Sequence, residues 1–260
     1  MTRAIVRRAL AALSAATFLP AAAASAAGPP TLPQPLAYLR HIDPTIAQDI
    51  RYATANNFTG RPLPGYDAPE CVLHRAAARA LAQVQADLAA SRLALKVYDC
   101  YRPERAVRAM AAWSQDGHDG APTRRFFPHV DKRNLFALGY IARYSRHSSG
   151  TAVDLTLIEK GAPPAPPFDP AARYGPCDGP VAARAPDNSL DMGTGYDCLD
   201  PKGHTAASGL TLEQHQRRMM LVTAMRKRGF SNYRLEWWHF TFDGTAGARH
   251  FDVPIGPIAR

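Results

Sequence analysis

His147 and Asp154 lie seven residues apart in the segment SRHSSGTAVD, residues 145–154. In one uninterrupted strand this odd spacing would place the two side chains on opposite faces, so the Ser148-Ser149-Gly150 stretch must turn the chain. His147 would then lie on a loop and Asp154 on the strand behind it. An imidazole and a carboxylate placed in this way can converge on one metal ion. The alternative is a surface histidine near an unrelated strand aspartate.

A second segment, LEWWHF at residues 235–240, carries Glu236 and His239 three residues apart. Burying charged groups among aromatic residues is costly unless they have partners. His239 offers a third metal ligand, through a neutral imidazole nitrogen. Glu236 is close enough to lie beside a metal without binding it. Two histidines and one aspartate, with a fourth position left for water, are typical of a catalytic zinc site. The alternative is a core histidine with a satisfied hydrogen bond.

Arg102 is a third candidate for chemistry. It lies in YDCYRP, residues 98–103, between a predicted strand end and a predicted helix start, where a side chain can aim into a cleft. A guanidinium there can hold a developing oxyanion. The alternative is a surface arginine. A positive charge at a helix N-terminus is unfavourable to the helix dipole, however, so a surface role does not explain the position of Arg102.

Hydrophobic periodicity predicts the elements that must position these residues. Helices are predicted at 75–92, 103–113 and 211–228, and strands at 93–98, 151–157 and 233–242. Pro103 suits the first position of a helix, and the third helix, which reads as amphipathic, has a cap at Thr211 and a stop at Gly229. The absence of a regular βαβ rhythm predicts an α+β fold. We expect a single domain over 38–260, with a central, mostly antiparallel sheet flanked by helices and the metal in a cleft.

The first part of the chain, residues 1–27, is typical of a secretory signal peptide, with a positive start, a short apolar stretch and small residues at the cleavage region. A membrane anchor is the alternative, but the apolar stretch is short for a span. Prolines in 28–37 predict an extended linker. Eight prolines in 161–190 predict a long surface insertion in the domain. We therefore expect an exported protein, periplasmic or secreted, with no stable membrane span after processing.

Export to an oxidising compartment favours disulfides for the four cysteines, Cys71, Cys100, Cys177 and Cys198. Three pairings are possible. The preferred one joins Cys71 to Cys100 and Cys177 to Cys198, because each bond then closes a short loop between neighbouring segments. No CxxC pair indicates a zinc site at these residues, and a nucleophilic cysteine is equally unsupported.

The net charge is +9, from 31 Lys and Arg against 22 Asp and Glu. This balance bears on solubility and not on the fold. The arginines are scattered and export removes the chain from nucleic acid, so nucleic-acid binding is excluded. A hydrophobic fraction of 46% excludes global disorder.

The motifs together resemble the zinc D-Ala-D-Ala dipeptidases, a branch of the D,D-peptidase superfamily of family M15. The SxHxxGxAxD pattern is complete at 145–154, and the ExxH pattern is matched by Glu236 and His239. YATANNFTG at 52–60, the Gly65-Tyr66 pair and MGTGYD at 192–197 are similar to the dipeptidase branch. The resemblance covers roughly 38–260. Cys100 departs from the family pattern, which usually has glycine there, and the 161–190 insertion is longer than in compact members.

The resemblance implies that His147, Asp154 and His239 bind one zinc ion per chain. It also implies that Glu236 is the general base on a zinc-bound water and that Arg102 stabilises the transition state. Four further residues would form the dipeptide pocket: Tyr52, Tyr66, Ser145 and Asp197. Of these, Asp197 would face the substrate amine.

The expected activity is zinc-dependent hydrolysis of the small D-alanyl-D-alanine dipeptide in cell-wall peptide metabolism. One alternative is a murein D,D-carboxypeptidase or endopeptidase of the same superfamily, which shares the metal residues. The other is a catalytically inactive zinc domain that binds peptidoglycan or a protein, which would have no need of Glu236 or Arg102. The sequence leaves the oligomeric state open, and it does not choose between D-alanine recycling and antibiotic resistance.

Overall fold

The structure is a computed structural model that describes Met1 and residues 32–118, 123–245 and 247–258. The predicted signal peptide, apart from Met1, and the first part of the predicted linker lie outside the described residues. The helices are α1 Arg75–Leu88, α2 Glu104–Ser114 and α3 Leu212–Lys227. The strands are β1 Leu36–Tyr38, β2 Ala47–Gln48, β3 Val72–His74, β4 Leu93–Asp99, β5 Ala152–Glu159, β6 Phe230–Asn232 and β7 His239–Phe242.

The central sheet has five strands in the order β2-β4-β5-β7-β6. The pair β2 and β4 is parallel, and the other neighbours are antiparallel. Strands β1 and β3 form a separate antiparallel pair. Helix α1 packs against β3, β4 and α3, and α3 packs against β6. This arrangement confirms the predicted α+β class with a mostly antiparallel sheet. No helix in the described ranges is both long and apolar enough to cross a bilayer.

Two neighbouring interior strands of this sheet, β4 and β5, are buried along almost their whole length. Both faces of the sheet are therefore covered, and the polar groups on these strands must find partners inside the protein. The β4–β5 register shifts between Val97 and Asp99, so that Asp99 and not Tyr98 lies opposite Asp154. Such a bulge redirects the side chains next to it.

The prediction of a continuous strand over 233–242 is wrong for its first half. The chain leaves β6 at Asn232, turns, and returns as β7 from His239. The amide of Asn232 holds this turn by donating to the carbonyls of Glu236 and His239, at 3.1 and 3.0 Å. Aromatic content signals burial here, but it does not show where the chain reverses.

Helix α3 begins as predicted, with a capping box between Thr211 and Gln214. The prediction of an amphipathic helix implies an apolar buried face. The buried residues of α3 are Arg218, Leu221 and Met225, so this face also contains a charged side chain. The buried Arg218 guanidinium donates to three carbonyls of one loop, those of Met192, Lys202 and His204. Burial lowers the pKa of Arg218 to about 10. Helix α3 thus anchors the loop that carries Asp197.

Both predicted disulfides are present. Cys71–Cys100 joins the residue before β3 to the residue after β4, and Cys177–Cys198 joins the proline-rich 161–190 stretch to the loop of Asp197. The proline-rich stretch is exposed or half-buried irregular chain, apart from the buried Cys177, around a short 3-10 helix, Val181–Ala183.

Replacing both Cys71 and Cys100 by serine is expected to lower the free energy of unfolding by about 2–4 kcal/mol, because the bond constrains the unfolded chain. Urea unfolding of the wild type and the double variant measures the loss. The matched variant, Cys177→Ser with Cys198→Ser, should lose a similar amount, since the two bonds span 29 and 21 residues. An unchanged urea midpoint would contradict the role of either bond.

Candidate metal centre

Strand pairing and one short turn bring the predicted metal ligands together. Asp154 on β5 lies directly opposite His239 on β7. His147 lies in the 3-10 helix Arg146–Ser149, which Ser145 caps and Gly150 ends. Gly150 has a φ of +70°, and a Cβ there would lie 2.8 Å from the backbone nitrogen of His74. Glycine is therefore needed for the turn, as the sequence predicted.

Three donor atoms converge at this point. The His147 Nε2 atom lies 3.1 Å from His239 Nδ1 and 3.3 Å from Asp154 Oδ1, and the last two atoms are 3.0 Å apart. His147 and Asp154 are buried, and His239 is nearly so. Within the described ranges these side chains form a group that could hold a metal ion.

The outer atoms of the triad have both neutral and charged neighbours, since Asp99 Oδ2 lies 3.3 Å from His147 Nδ1 and Arg102 Nη2 lies 3.7 Å from Asp154 Oδ2. The Nδ1 atom of His147 donates to the carbonyl of Cys100 at 2.6 Å, which leaves the Nε2 lone pair facing the other two ligands. Tyr196 donates to Asp154 Oδ2 at 3.0 Å. Burial opposes ionisation of Asp154, but the two imidazoles outweigh it and hold the pKa of Asp154 well below its usual value. These three donors could therefore hold a metal cation.

Asp99 is the residue that the sequence analysis missed. It is fully buried, and its carboxylate accepts from Tyr66 at 2.5 Å and from Arg102 Nε at 2.9 Å. Its Oδ2 atom also lies 3.3 Å from His147 Nδ1. Burial raises the pKa of Asp99, against the opposing charges of Arg102 and His147. One feature of the sequence could have indicated a role for Asp99: it lies at a strand end, three residues before Arg102.

A cavity of about 190 Å³ opens beside the triad. Its walls include most of the other predicted site residues: Tyr52, Arg102, Ser145, Asp197 and Glu236. Tyr66 is not among the lining residues. It lies behind Arg102, where it contacts Asp99.

Asp197 is held in an uncommon conformation inside this cavity. Its φ is +56°, and its carboxylate accepts from Tyr52 at 2.8 Å. A left-handed backbone at a residue other than glycine is a form of strain that clusters at functional sites. Burial, together with the charge of Asp154, raises the pKa of Asp197 well above its usual value. A cation in the cavity would relieve this cost.

Glu236 lies in the turn between β6 and β7, with its Oε2 atom 3.8 Å from His239 Nδ1. Burial and the charges of Asp154 and Asp197 raise the pKa of Glu236 well above its usual value. The Arg102 guanidinium stacks 4.9 Å from the centre of the Tyr52 ring. A largely buried carboxyl group, a guanidinium and a triad that could hold a metal ion surround one cavity. Together they can promote attack by water on a carbonyl.

Comparison with known proteins gives the same family that the motifs resemble. The sequence profile of Peptidase M15, described as D-ala-D-ala dipeptidase, matches residues 34–164 and 182–255. The D-alanyl-D-alanine dipeptidase of Streptomyces coelicolor is 35% identical over 211 residues, 81% of this chain and 93% of that protein. Its namesake from Enterococcus faecium is 30% identical over 221 residues, 84% of this chain and 96% of that protein. The chain therefore belongs to the Peptidase M15 family of D-Ala-D-Ala dipeptidases.

Proposed function

We propose that this protein is a zinc-dependent hydrolase of the D-Ala-D-Ala dipeptide. The observation that carries the proposal is the convergence of His147, Asp154 and His239 on one point, in a cavity that also presents Glu236 and Arg102. An inactive binding domain would need the triad at most, and it would not need a buried base and guanidinium beside it.

The donor set fits zinc. Nitrogen and oxygen donors bound tetrahedrally to zinc at about 2.0–2.1 Å stand about 3.3 Å apart. The three donor atoms here are 3.0–3.3 Å apart. The three protein ligands leave a fourth position for water or substrate, which is typical of catalytic zinc and not of structural zinc.

A bound zinc ion would supply Lewis acidity, which acidifies water and polarises a carbonyl group. Glu236 would accept the proton of the attacking water and pass it to the leaving amine. Its raised pKa favours this exchange, although the charge of a bound cation acts in the opposite direction. Arg102 would donate to the developing oxyanion. Asp99 would hold that guanidinium in place through Nε and Nη2, at 2.9 and 2.8 Å.

The cavity also supports a substrate as short as a dipeptide. Its volume of about 190 Å³ is below the range of roughly 300–1,000 Å³ that drug-sized ligands occupy. The Asp197 carboxylate, supported by Tyr52, would pair with the free ammonium group of the dipeptide. A longer peptide has no ammonium at that position and would leave this group unpaired.

We further propose that the protein acts outside the cytoplasm, in cell-wall peptide metabolism. Two disulfides favour an oxidising compartment. Peptides that end in D-alanine belong to the cell wall, so the proposed substrate is consistent with export.

The purified protein is expected to hydrolyse D-Ala-D-Ala, to lose this activity after treatment with a chelator, and to regain it with added zinc. It is expected to leave a pentapeptide that ends in D-Ala-D-Ala intact, because the ammonium group is missing where Asp197 needs it. Release of D-alanine measures both rates. Equal rates on the two substrates would contradict the dipeptidase assignment, and activity that resists the chelator would contradict metal dependence.

Glu236→Gln is expected to lower kcat by at least about two orders of magnitude, as loss of a general base does. Zinc should be retained, since the three ligands are unchanged, and metal analysis of the purified variant checks this. Glu159→Gln, at the exposed end of β5, is the matched control and should keep wild-type activity. Near-normal turnover by Glu236→Gln would show that another group moves the proton.

Arg102→Ala is expected to lower kcat by about 10²–10³-fold, the effect of removing one oxyanion donor. Arg105→Ala is the matched control on α2, because its partner Asp252 lies outside the cavity. Steady-state kinetics on D-Ala-D-Ala separate kcat from KM. A change confined to KM would assign Arg102 to substrate binding instead of to the transition state.

A further inference from the structure

A second cavity, of about 320 Å³, lies between the proline-rich stretch and the segments around Arg51, Arg125 and Tyr196. Pro166, Gly175, Cys177 and Val181 contribute to its wall. All four fall between the two matched ranges of the Peptidase M15 profile, which skips residues 165–181. The second cavity therefore depends on a part of this chain that the family pattern does not include.

Three guanidinium groups line the second cavity, those of Arg51, Arg125 and Arg184, against two carboxylates, those of Asp187 and Asp191. Burial and the charge of Arg51 lower the pKa of Arg125 to about 10. The balance of charge on the walls is thus positive, which is the reverse of the metal cavity.

Both carboxylates are occupied within the protein. Asp187 accepts from Lys96 and Ser189 at one oxygen, and from Arg51 and Tyr98 at the other. Neither Lys96 nor Tyr98 lines the cavity, so two of the groups that donate to Asp187 lie behind the cavity wall.

Asp191 is occupied in the same way. It accepts from Arg184 and the backbone of Gly193 at one oxygen, and from Gln214 at the other. Both carboxylates that line the cavity therefore already accept hydrogen bonds from the protein.

Donor groups remain available on the same wall. Arg51 donates through Nε to Asp49 and through Nη2 to Asp187, and its Nη1 atom has no acceptor among the described residues. Asn56 uses its Oδ1 atom to accept from Arg125 at 2.8 Å, and its amide nitrogen donates to no residue of the described ranges. Both residues are buried. Both residues line the cavity, and donor atoms there from which no described protein group accepts favour a ligand that supplies acceptors.

An apolar surface faces these donors. It consists of Phe126, Val181, Ala185, Pro186 and the ring of Tyr196. The guanidinium of Arg125 lies 4.3 Å from the centre of the Phe126 ring, so charge and apolar area meet at one place. A planar guanidinium binds carboxylate and phosphate oxygens through paired hydrogen bonds.

We propose that the second cavity is a binding site for a small organic anion, a carboxylate or phosphate group on a compact apolar body. The anionic group contacts Arg51, Arg125 and the amide of Asn56, and the apolar body packs against Phe126 and Ala185. The site is separate from the metal cavity and does not depend on the reaction that takes place there.

Tyr196 connects the two cavities. Its ring lines the second cavity and stacks on Tyr98 at 4.4 Å, while its hydroxyl group donates to the metal-centre residue Asp154. Tyr98 in turn donates to Asp187, the partner of Arg51. Four contacts, Arg51–Asp187, Asp187–Tyr98, Tyr98–Tyr196 and Tyr196–Asp154, thereby connect a ligand on Arg51 to Asp154.

Isothermal titration calorimetry with benzoate, phenyl phosphate and the neutral analogue benzyl alcohol tests this site on the metal-loaded protein. At least one anion is expected to bind, and benzyl alcohol is expected to bind more weakly. Arg125→Gln should weaken anion binding by at least about tenfold, the effect of losing one charge-assisted hydrogen bond. Ala185→Trp should abolish it by filling the cavity. The anion that binds identifies the group as carboxylate or phosphate.

Arg79→Gln, on the exposed face of α1, is the matched control and should leave the affinity unchanged. Thermal melting checks that each variant is folded. Binding that survives both Arg125→Gln and Ala185→Trp would place the anion outside the second cavity and overturn the proposal. Absence of anion binding to the wild type, or equal affinity for benzyl alcohol, would also overturn it.

Discussion

Burial of negative charge around Asp154 is the constraint on which the rest of the site depends. Four carboxyl groups lie in or beside one small cavity, those of Asp99, Asp154, Asp197 and Glu236. The guanidinium of Arg102 lies among them, and the exposed Arg146 also lines the cavity. Their protein surroundings raise the pKa values of Asp99, Asp197 and Glu236. Ionised carboxylates in such a place require further positive charge. A zinc ion and a substrate ammonium would together supply it, so the same electrostatic deficit accounts for both the proposed metal and the proposed substrate.

Two anchors keep this charged region in register, and both act through backbone carbonyls. The carbonyl of Cys100 accepts from His147, and the disulfide to Cys71 ties that carbonyl to the start of β3. The family resemblance implies glycine at this position, so the disulfide adds a covalent constraint directly behind a proposed metal ligand. On the other side, Arg218 binds three carbonyls of the loop that carries Asp197. A neutral side chain at Arg218 would leave those carbonyls without donors.

The sequence predicted the features that local pattern controls. The three helices, strands β4 and β5 and the turn at Gly150 follow from periodicity and turn residues. Both disulfides follow from the expected export and from the closure of short loops. The grouping of His147, Asp154 and His239 follows from motif spacing and from the family resemblance. The first part of the strand predicted over 233–242 was wrong, because residues 233–238 form a turn. The amide of Asn232 holds this turn through hydrogen bonds to the carbonyls of Glu236 and His239, which the sequence pattern does not show. The buried position of Arg218 was missed for a similar reason, since its acceptors belong to a loop distant in sequence. The predicted domain limits and the signal peptide stay predictions.

The bulge in β4 links the metal cavity to the second cavity. Two residues of β4, Tyr98 and Asp99, stand against the single residue Asp154 of β5. Asp99 is thereby placed beside Arg102 and His147, while Tyr98 reaches Asp187 at the edge of the second cavity. In a regular ladder Tyr98 would have lain opposite Asp154, and the carboxylate that orients Arg102 would have moved one residue along the strand. One extra residue therefore sets an acidic site and a basic site back to back, with Tyr196 between them. No periodicity in the sequence marks such an insertion, because the residues on either side of it keep a strand pattern.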